Sequence, residues 1–409
     1  MVPRPSTLAL TAALAGFTAA SPVQPRPGYF TAHQVANPNF VAHGPRQLAK
    51  SYLKHGIPLP EGLAHTIAEL DAARRAKRNS GSVETVPEEA DSQYLTTVYI
   101  GTPLQPLNLD FDSGSDRLWV FSTLLPPELQ CGNQPLYDPW KSITGTELLG
   151  GNWSITYADL SGADGALYYD IVTVGGISFP KQAVGAATNI TYIPCDSNKR
   201  GFMGLSISKI NPDKPEKNTW FDNVAKSLDA PVWTADLKYQ APGSFDFGRV
   251  DTSKYTGNIT FVPVDARDGL WKFNMSGWAV GDKPFVSANI TTVADTGTTL
   301  AIMPDIAVKA YYDIVPTAFF SPLINTYIFS CNITPPDFHI GVGDGRVTIP
   351  GQYVNYAPLS IPGNYCMGSI VSDRGTDNSI FGDIALKSAF VVFDATPGNE
   401  KLGFASKKV

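Results

Sequence analysis

Leu109 to Val120 reads LDFDSGSDRLWV, and Val293 to Pro304 reads VADTGTTLAIMP. Each apolar run carries an Asp, a hydroxyl residue, a Gly and a second hydroxyl residue: Asp112-Ser113-Gly114-Ser115 in one and Asp295-Thr296-Gly297-Thr298 in the other. Each is followed by an apolar-apolar-Gly element, GFMGL at 201–205 and SIFGDIAL at 379–386, with 92 residues from Asp112 to Gly204 and 87 from Asp295 to Gly382. A lone Asp-Ser/Thr-Gly triplet is most often a turn. Two copies, each with the same follower at a matching distance, mark an internal repeat and predict two lobes built on one plan.

The repeat also selects a chemistry. Asp110 and Asp112 lie two apart in a strand and share a face, where an isolated buried carboxylate is costly. The partner predicted for Asp112 is nevertheless Asp295, 183 residues away. Two carboxylates brought together cannot both ionise cheaply, so they share a proton, one acting as base and the other as acid. A water between them is deprotonated toward a peptide carbonyl while the protonated partner donates to the developing oxyanion. Ser115, Thr298 and the amides of Gly114 and Gly297 are the natural donors to the pair. Asp110 has no part in this scheme: either it pairs with a nearby cation or donor, or it raises the pKa of the dyad.

Histidine chemistry is disfavoured, because His33, His43, His55 and His65 precede residue 78 and only His339 follows it. A Ser/His/Asp triad, a Cys/His pair or a multi-histidine zinc site would have to be built around His339, which reads as a structural strand-end residue in PPDFHIGVGDG. No metal and no cofactor are expected. A glycosidase also needs two carboxylates, but the internal repeat argues against it.

The 409 residues are 43% hydrophobic and 17% charged, with 36 Gly and 33 Pro among frequent β-formers, which predicts a mainly β protein with a large core. Arg4 followed by LALTAALAGFTAA reads as a signal peptide over residues 1–20, too short and alanine-rich for a membrane span. Residues 21–78 carry RQLAKSYLKHGI and a helical EGLAHTIAELDAARRAKR that ends on the dibasic pair Lys77-Arg78, and NSGSVETVPEEADS then reads as an exposed linker. Residues 1–78 hold nine Lys and Arg against three Asp and Glu, a net of +6, and the remainder nets −12. Charges of that size and opposite sign predict that the first segment lies against the second. The expected organisation is thus signal peptide 1–20, basic activation prosegment 21–78, N-terminal lobe 79–270 and C-terminal lobe 271–409. Cys131, Cys195, Cys331 and Cys366 allow three pairings. Sequons begin at Asn152, Asn189, Asn258, Asn274, Asn289 and Asn332, candidates for glycosylation in a secreted chain.

From about Gln93 to Ala405 the chain resembles the pepsin-like aspartic proteases, in particular the secreted fungal penicillopepsin and aspergillopepsin group. The resemblance is carried by YIGTP, WSITYADLSG, VTVGG, FDFGRVDTSKYTG, FGDIALKSAFVVFD and LGFA, in that order. It implies a bilobal β fold with the cleft between the lobes, and an aspartic endopeptidase active at acidic pH. It also implies that Asp112 and Asp295 are the dyad, with Ser113 and Thr296 cross-linking the two loops, Ser113 standing where threonine is usual. Tyr157 matches the tyrosine of a flap that closes over substrate, Trp119 its hydrogen-bond partner, and Asp159 and Ser161 the flap residues that allow lysine before the cut beside large apolar side chains. Two departures bear on that: Ala158 and Leu160 replace flap glycines, and Lys199-Arg200-Gly201 stands where Asn-Asp-Gly is usual, so that Arg200 alters subsite charge. Cys331 and Cys366 match the family's C-lobe disulfide, which leaves Cys131 and Cys195 for a second bridge. Lys54 resembles the lysine whose ammonium holds a zymogen's dyad inactive, with His55 in place of the usual tyrosine.

The implied partners are polypeptide substrates and the chain's own prosegment as an intramolecular inhibitor. No nucleic acid and no membrane anchor are expected, and the enzyme is expected to be a monomer outside the cell, with a vacuolar location as the alternative. A non-catalytic binding protein on the same fold would typically have lost a dyad Asp or its glycine. Both are intact here.

Overall fold

The structure is a computed structural model that describes residues 28–36, 43–78, 94–130, 134–156, 162–191, 199–207, 218–376 and 379–407. Among these the strands form a 13-stranded sheet, a seven-stranded sheet and a four-stranded sheet, a mainly β architecture that agrees with the bilobal pepsin-like fold. Six elements position the site: β1 (Phe30–Ala36), α1 (Gly44–Lys54), α2 (Glu61–Arg78), β2 (Tyr94–Ile100), β3 (Gln105–Asp112) and β4 (Leu118–Phe121).

β3 forms because its apolar residues alternate. Leu107, Leu109 and Phe111 are buried in the core, at no more than 1% exposure, so period-two geometry sends Asn108, Asp110 and Asp112 to the opposite face. Phe111 stacks on Phe245 across the sheet, which fixes the register, since a one-residue slip would carry the acids into the core.

The two halves repeat one local construction. Asp110, Phe111 and Asp112 pair in parallel with Phe202, Met203 and Gly204, and β4 then runs antiparallel to the same residues. In the other half Thr292, Val293 and Ala294 pair in parallel with Ser379, Ile380 and Phe381, to which Ala301 and Ile302 pair antiparallel. The follower glycines are explained by what crosses them. A Cβ on Gly204 would lie 2.5 Å from the Arg117 nitrogen, and one on Gly382 would lie 2.3 Å from the Leu300 carbonyl oxygen.

The segment before residue 78 is built into this body. β1 pairs antiparallel with Ala241–Phe247 on one side and with β2 on the other, so it lies inside the 13-stranded sheet and not at its edge. α1 starts with a proline in its first turn and buries Leu48, Ala49 and Tyr52, an i, i+4 stripe that faces the core. Its end is a Schellman cap, in which Ile57 N–H donates to Tyr52 O at 2.7 Å and Gly56 N–H to Leu53 O at 3.3 Å. Gly56 has φ +68°, the left-handed conformation such a cap requires. Lys54 and His55 are therefore held rigidly at the helix terminus. α2 covers the stretch read as helical from the sequence.

Gly382 has φ −80°, which any residue tolerates, so space alone demands glycine there. Gly382→Ala is expected to cost about 1–3 kcal/mol or more from overpacking, read as a lower denaturation midpoint with unchanged slope.

Candidate active site

The Asp112 and Asp295 loops meet with near twofold equivalence. Gly114 N–H donates to Asp112 Oδ1 at 2.9 Å and Ser115 Oγ to Asp112 Oδ2 at 2.7 Å. Gly297 N–H donates to Asp295 Oδ1 at 2.9 Å and Thr298 Oγ1 to Asp295 Oδ2 at 2.6 Å. The loops are also clasped to each other. Ser113 N–H donates to Thr296 Oγ1 at 3.0 Å, and Thr296 N–H donates to Ser113 Oγ at 2.9 Å. Each hydroxyl then donates onward across the seam, Ser113 to Ala294 O at 2.9 Å and Thr296 to Phe111 O at 2.7 Å. The groups of this clasp are all buried, so each of its donors needs the partner it has.

Both glycines between the hydroxyl residues are required by close approach. A Cβ on Gly114 would stand 2.6 Å from Asp295 Cγ, and one on Gly297 2.3 Å from Asp112 Oδ1. Any side chain at either position would drive the carboxylates apart.

Lys54 closes the arrangement. Its ammonium donates to Asp112 Oδ1 at 2.7 Å and to Asp295 Oδ1 at 2.9 Å. His55 Nε2 lies 2.9 Å from Asp295 Oδ2 and 3.0 Å from Thr298 Oγ1. Burial raises the Asp112 carboxyl, and Lys54 offsets that only in part while the Asp295 charge adds to it. Burial also acts to raise Asp295, but the Lys54 ammonium and the His55 contact prevail and hold it well below the ordinary value. Lys54 is itself raised, its burial outweighed by the two acids. The two carboxyls differ because His55, as well as Lys54, bears on Asp295.

Asp110 is 7% exposed and faces Lys199, whose Nζ lies 3.6 Å from Asp110 Oδ2 and 4.2 Å above the Phe202 ring. Of the two alternatives left open by the sequence, the structure supplies the nearby cation. Lys50, one turn before Lys54, lies over the same ring at 5.6 Å. Burial and the Lys50 charge bring Lys199 down to about 7, against the pull of Asp110. Arg200, which the sequence singled out, is instead buried over the Phe121 ring at 5.5 Å. The residue beside the dyad that sequence reasoning passed over is Lys199, and the only signal for it was its place in the departing Lys199-Arg200-Gly201 triplet.

Trp119 is buried against Trp153, Phe121 and Phe202, and its indole nitrogen has no hydrogen-bond partner among the described residues. Tyr157, Asp159, Ser161, Cys131 and Cys195 lie outside the described residues. Cys331 and Cys366 form a disulfide. The six sequon asparagines are all exposed. His339 bonds to Thr348 Oγ1 at 2.9 Å across its hairpin. Among the described residues no group of His, Cys, Asp and Glu is arranged to hold a metal, and no helix is long and apolar enough to cross a membrane.

The family model for eukaryotic aspartyl proteases matches residues 93–407. Endothiapepsin of Cryphonectria parasitica is 42% identical, over 97% of this chain and 98% of that protein. Penicillopepsin-3 of Penicillium janthinellum is 44% identical over 87% and 86%. Aspergillopepsin-1 of Aspergillus pseudoglaucus is 40% identical over 98% and 99%.

The clasp sets a direct expectation. Ser113→Ala strands the buried Thr296 N–H and the Ala294 carbonyl, at a cost of about 1–3 kcal/mol for each unpaired group, whereas Ser113→Thr keeps the hydroxyl and loses less. Chemical denaturation of the two variants beside the parent checks the order.

Proposed function

We propose, for a chain that belongs to the eukaryotic aspartyl proteases and is an aspartic endopeptidase, a finer reading: a secreted zymogen that hydrolyses peptide bonds at acidic pH with a water activated between Asp112 and Asp295. The observation that carries it is the Lys54 ammonium, within hydrogen-bond reach of both carboxylates at once. One water oxygen can take that same position after Lys54 leaves. The ionised carboxylate accepts the proton of this water as its oxygen attacks the peptide carbonyl carbon, and the protonated partner donates to the carbonyl oxygen. Collapse of the tetrahedral intermediate breaks the C–N bond as the amide nitrogen takes up a proton. Closure of a flap carrying Tyr157, with Trp119 behind it, would exclude water from the reaction.

Residues 21–78 are then an inhibitory prosegment behind a signal peptide of 20 residues, with lobes at 79–270 and 271–409. Support comes from the opposed charges of +6 and −12 and from the seating of Lys54 and His55 on the dyad. The pH dependence follows from the shifts. Asp295, held below 3.8, stabilises the docked segment above that value, and this contribution is lost as pH falls through the depressed pKa. Lys54 acts in the same direction on Asp112, lowering it against burial and the Asp295 charge, so protonation of either carboxyl weakens the docked contact. Lys54, raised above 10.5, loses its contribution only in strong base. Acid release therefore rests on protonation of the two carboxylates that hold Lys54.

Purified precursor is expected to stay intact at pH 7 and to cleave itself at pH 3, and the activated enzyme to be blocked by a statine-type inhibitor. Asp112→Asn and Asp295→Asn should each lower peptide cleavage by roughly 10²- to 10⁴-fold; unchanged cleavage in either variant refutes the dyad, and an equally intact precursor at both pH values refutes acid release.

A preference for large apolar residues around the cut rests on the resemblance. Acceptance of lysine before the cut rests on Asp159 and Ser161, since Asp110 already faces a cation in Lys199. Lys199→Ala should accordingly raise the cleavage of lysine-containing peptides relative to apolar ones by roughly three- to tenfold, measured as a ratio of kcat/KM values; a ratio that stays constant or falls overturns that role.

A further inference from the structure

A cavity of about 730 Å³ opens in the seam between the 13-stranded sheet and the hairpin Phe338–Val342 and Gly345–Ile349. No residue of the Asp112 or Asp295 loops lines it, so it is separate from the cleft. Its volume is in the range of small-molecule sites. Among the described residues four cations line it, Lys238, Arg346, Lys387 and Lys407, and no Asp or Glu does, in a body whose net charge is −12.

These charges converge from rigid elements on several sides. Lys238 ends the strand Val232–Lys238 and Lys407 ends Lys401–Lys407. Lys387 follows the helix Asp383–Leu386 and is only 1% exposed. The Arg346 guanidinium lies 4.8 Å over the Phe285 ring. Asp236 stands behind the wall, 3.5 Å from Lys407 Nζ and 3.8 Å from Lys238 Nζ, and Lys407 Nζ also donates to Leu237 O. Burial first, and then repulsion by Lys387 and Lys238, pull Lys407 down to about 8 against the attraction of Asp236. Lys238 and Lys387 thus lie near enough to Lys407 to act on it, and an anion placed among these cations would be attracted by all of them. Opposite the lysines, Tyr239 stacks on Tyr353 with ring centroids 4.4 Å apart, giving a flat wall with hydroxyl groups.

We propose that this cavity binds a small organic molecule carrying two or more anionic groups, a polycarboxylate or a phosphorylated compound, by bridging Lys238, Arg346, Lys387 and Lys407. The bound anion ties the last strand of the chain to the C-lobe hairpin, and its effect is on stability and not on the dyad.

The test is thermal unfolding of the full chain near pH 5, enzymatically deglycosylated because Asn258 lies on the rim. Citrate and inorganic phosphate are each compared with sodium chloride at matched ionic strength. At saturation the expected rise in Tm is roughly 2–4 °C beyond the chloride control. A rise with citrate assigns polycarboxylates, and a rise with phosphate alone assigns phosphorylated compounds. The half-exposed Lys238 and exposed Arg346 are replaced together by glutamine, and Lys407→Met serves as a second, separate variant. Each should weaken the anion's apparent affinity at least about tenfold while peptide cleavage stays at the parent level. No rise beyond chloride with either anion, or a rise that survives in both variants, overturns the proposal.

Discussion

The pair of hydrogen bonds exchanged by Ser113 and Thr296 holds everything else in place. Two buried carboxylates repel each other, and nothing in either lobe alone would bring them into contact. The clasp does so by giving each loop's backbone N–H its only sensible acceptor on the other loop, out of reach of water. Once the loops are locked, the glycines at 114 and 297 become obligatory, because each lies against the opposing carboxylate. The followers at Gly204 and Gly382 complete the constraint by letting each loop's onward chain cross a strand at backbone contact. One requirement, two buried acids held side by side, thus accounts for both halves of the repeat.

Much of this was legible in the sequence because a repeat exposes its own rules. The hydroxyl and glycine positions around Asp112 and Asp295 are short-range consequences of packing two loops together, and they recur in both copies. The seven-residue strand β1 is different. FTAHQVA has weak alternation, with Phe30 and Ala32 buried but Gln34 sharing their face, so its place inside the large sheet is decided by two neighbours far along the chain. Propensity does not report that kind of information.

Asp110 shows the same limit from another side. Two acids in LDFDSG look alike in one dimension, and period-two geometry does put them on one face. Which cation each meets is set by elements 50 to 90 residues away: Lys54 from α1 for Asp112, and Lys199 before the crossing strand for Asp110. Arg200, the residue that drew attention in the sequence, turns inward over Phe121, while Lys199 beside it faces Asp110. The charge beside the dyad is therefore carried by the residue next to the one that looked significant.

On the proposed zymogen reading, β1 separates two events, cutting and release. A cut after the dibasic pair Lys77-Arg78 would sever the covalent link, but β1 is hydrogen-bonded on both edges within the sheet, and Lys54 at the end of α1 sits on both acids. The severed segment would then be a bound ligand, with its own dissociation rate and its own capacity to rebind. Cutting would set the time at which release becomes irreversible, and the two ladders of β1 would set how long the enzyme stays silent afterwards.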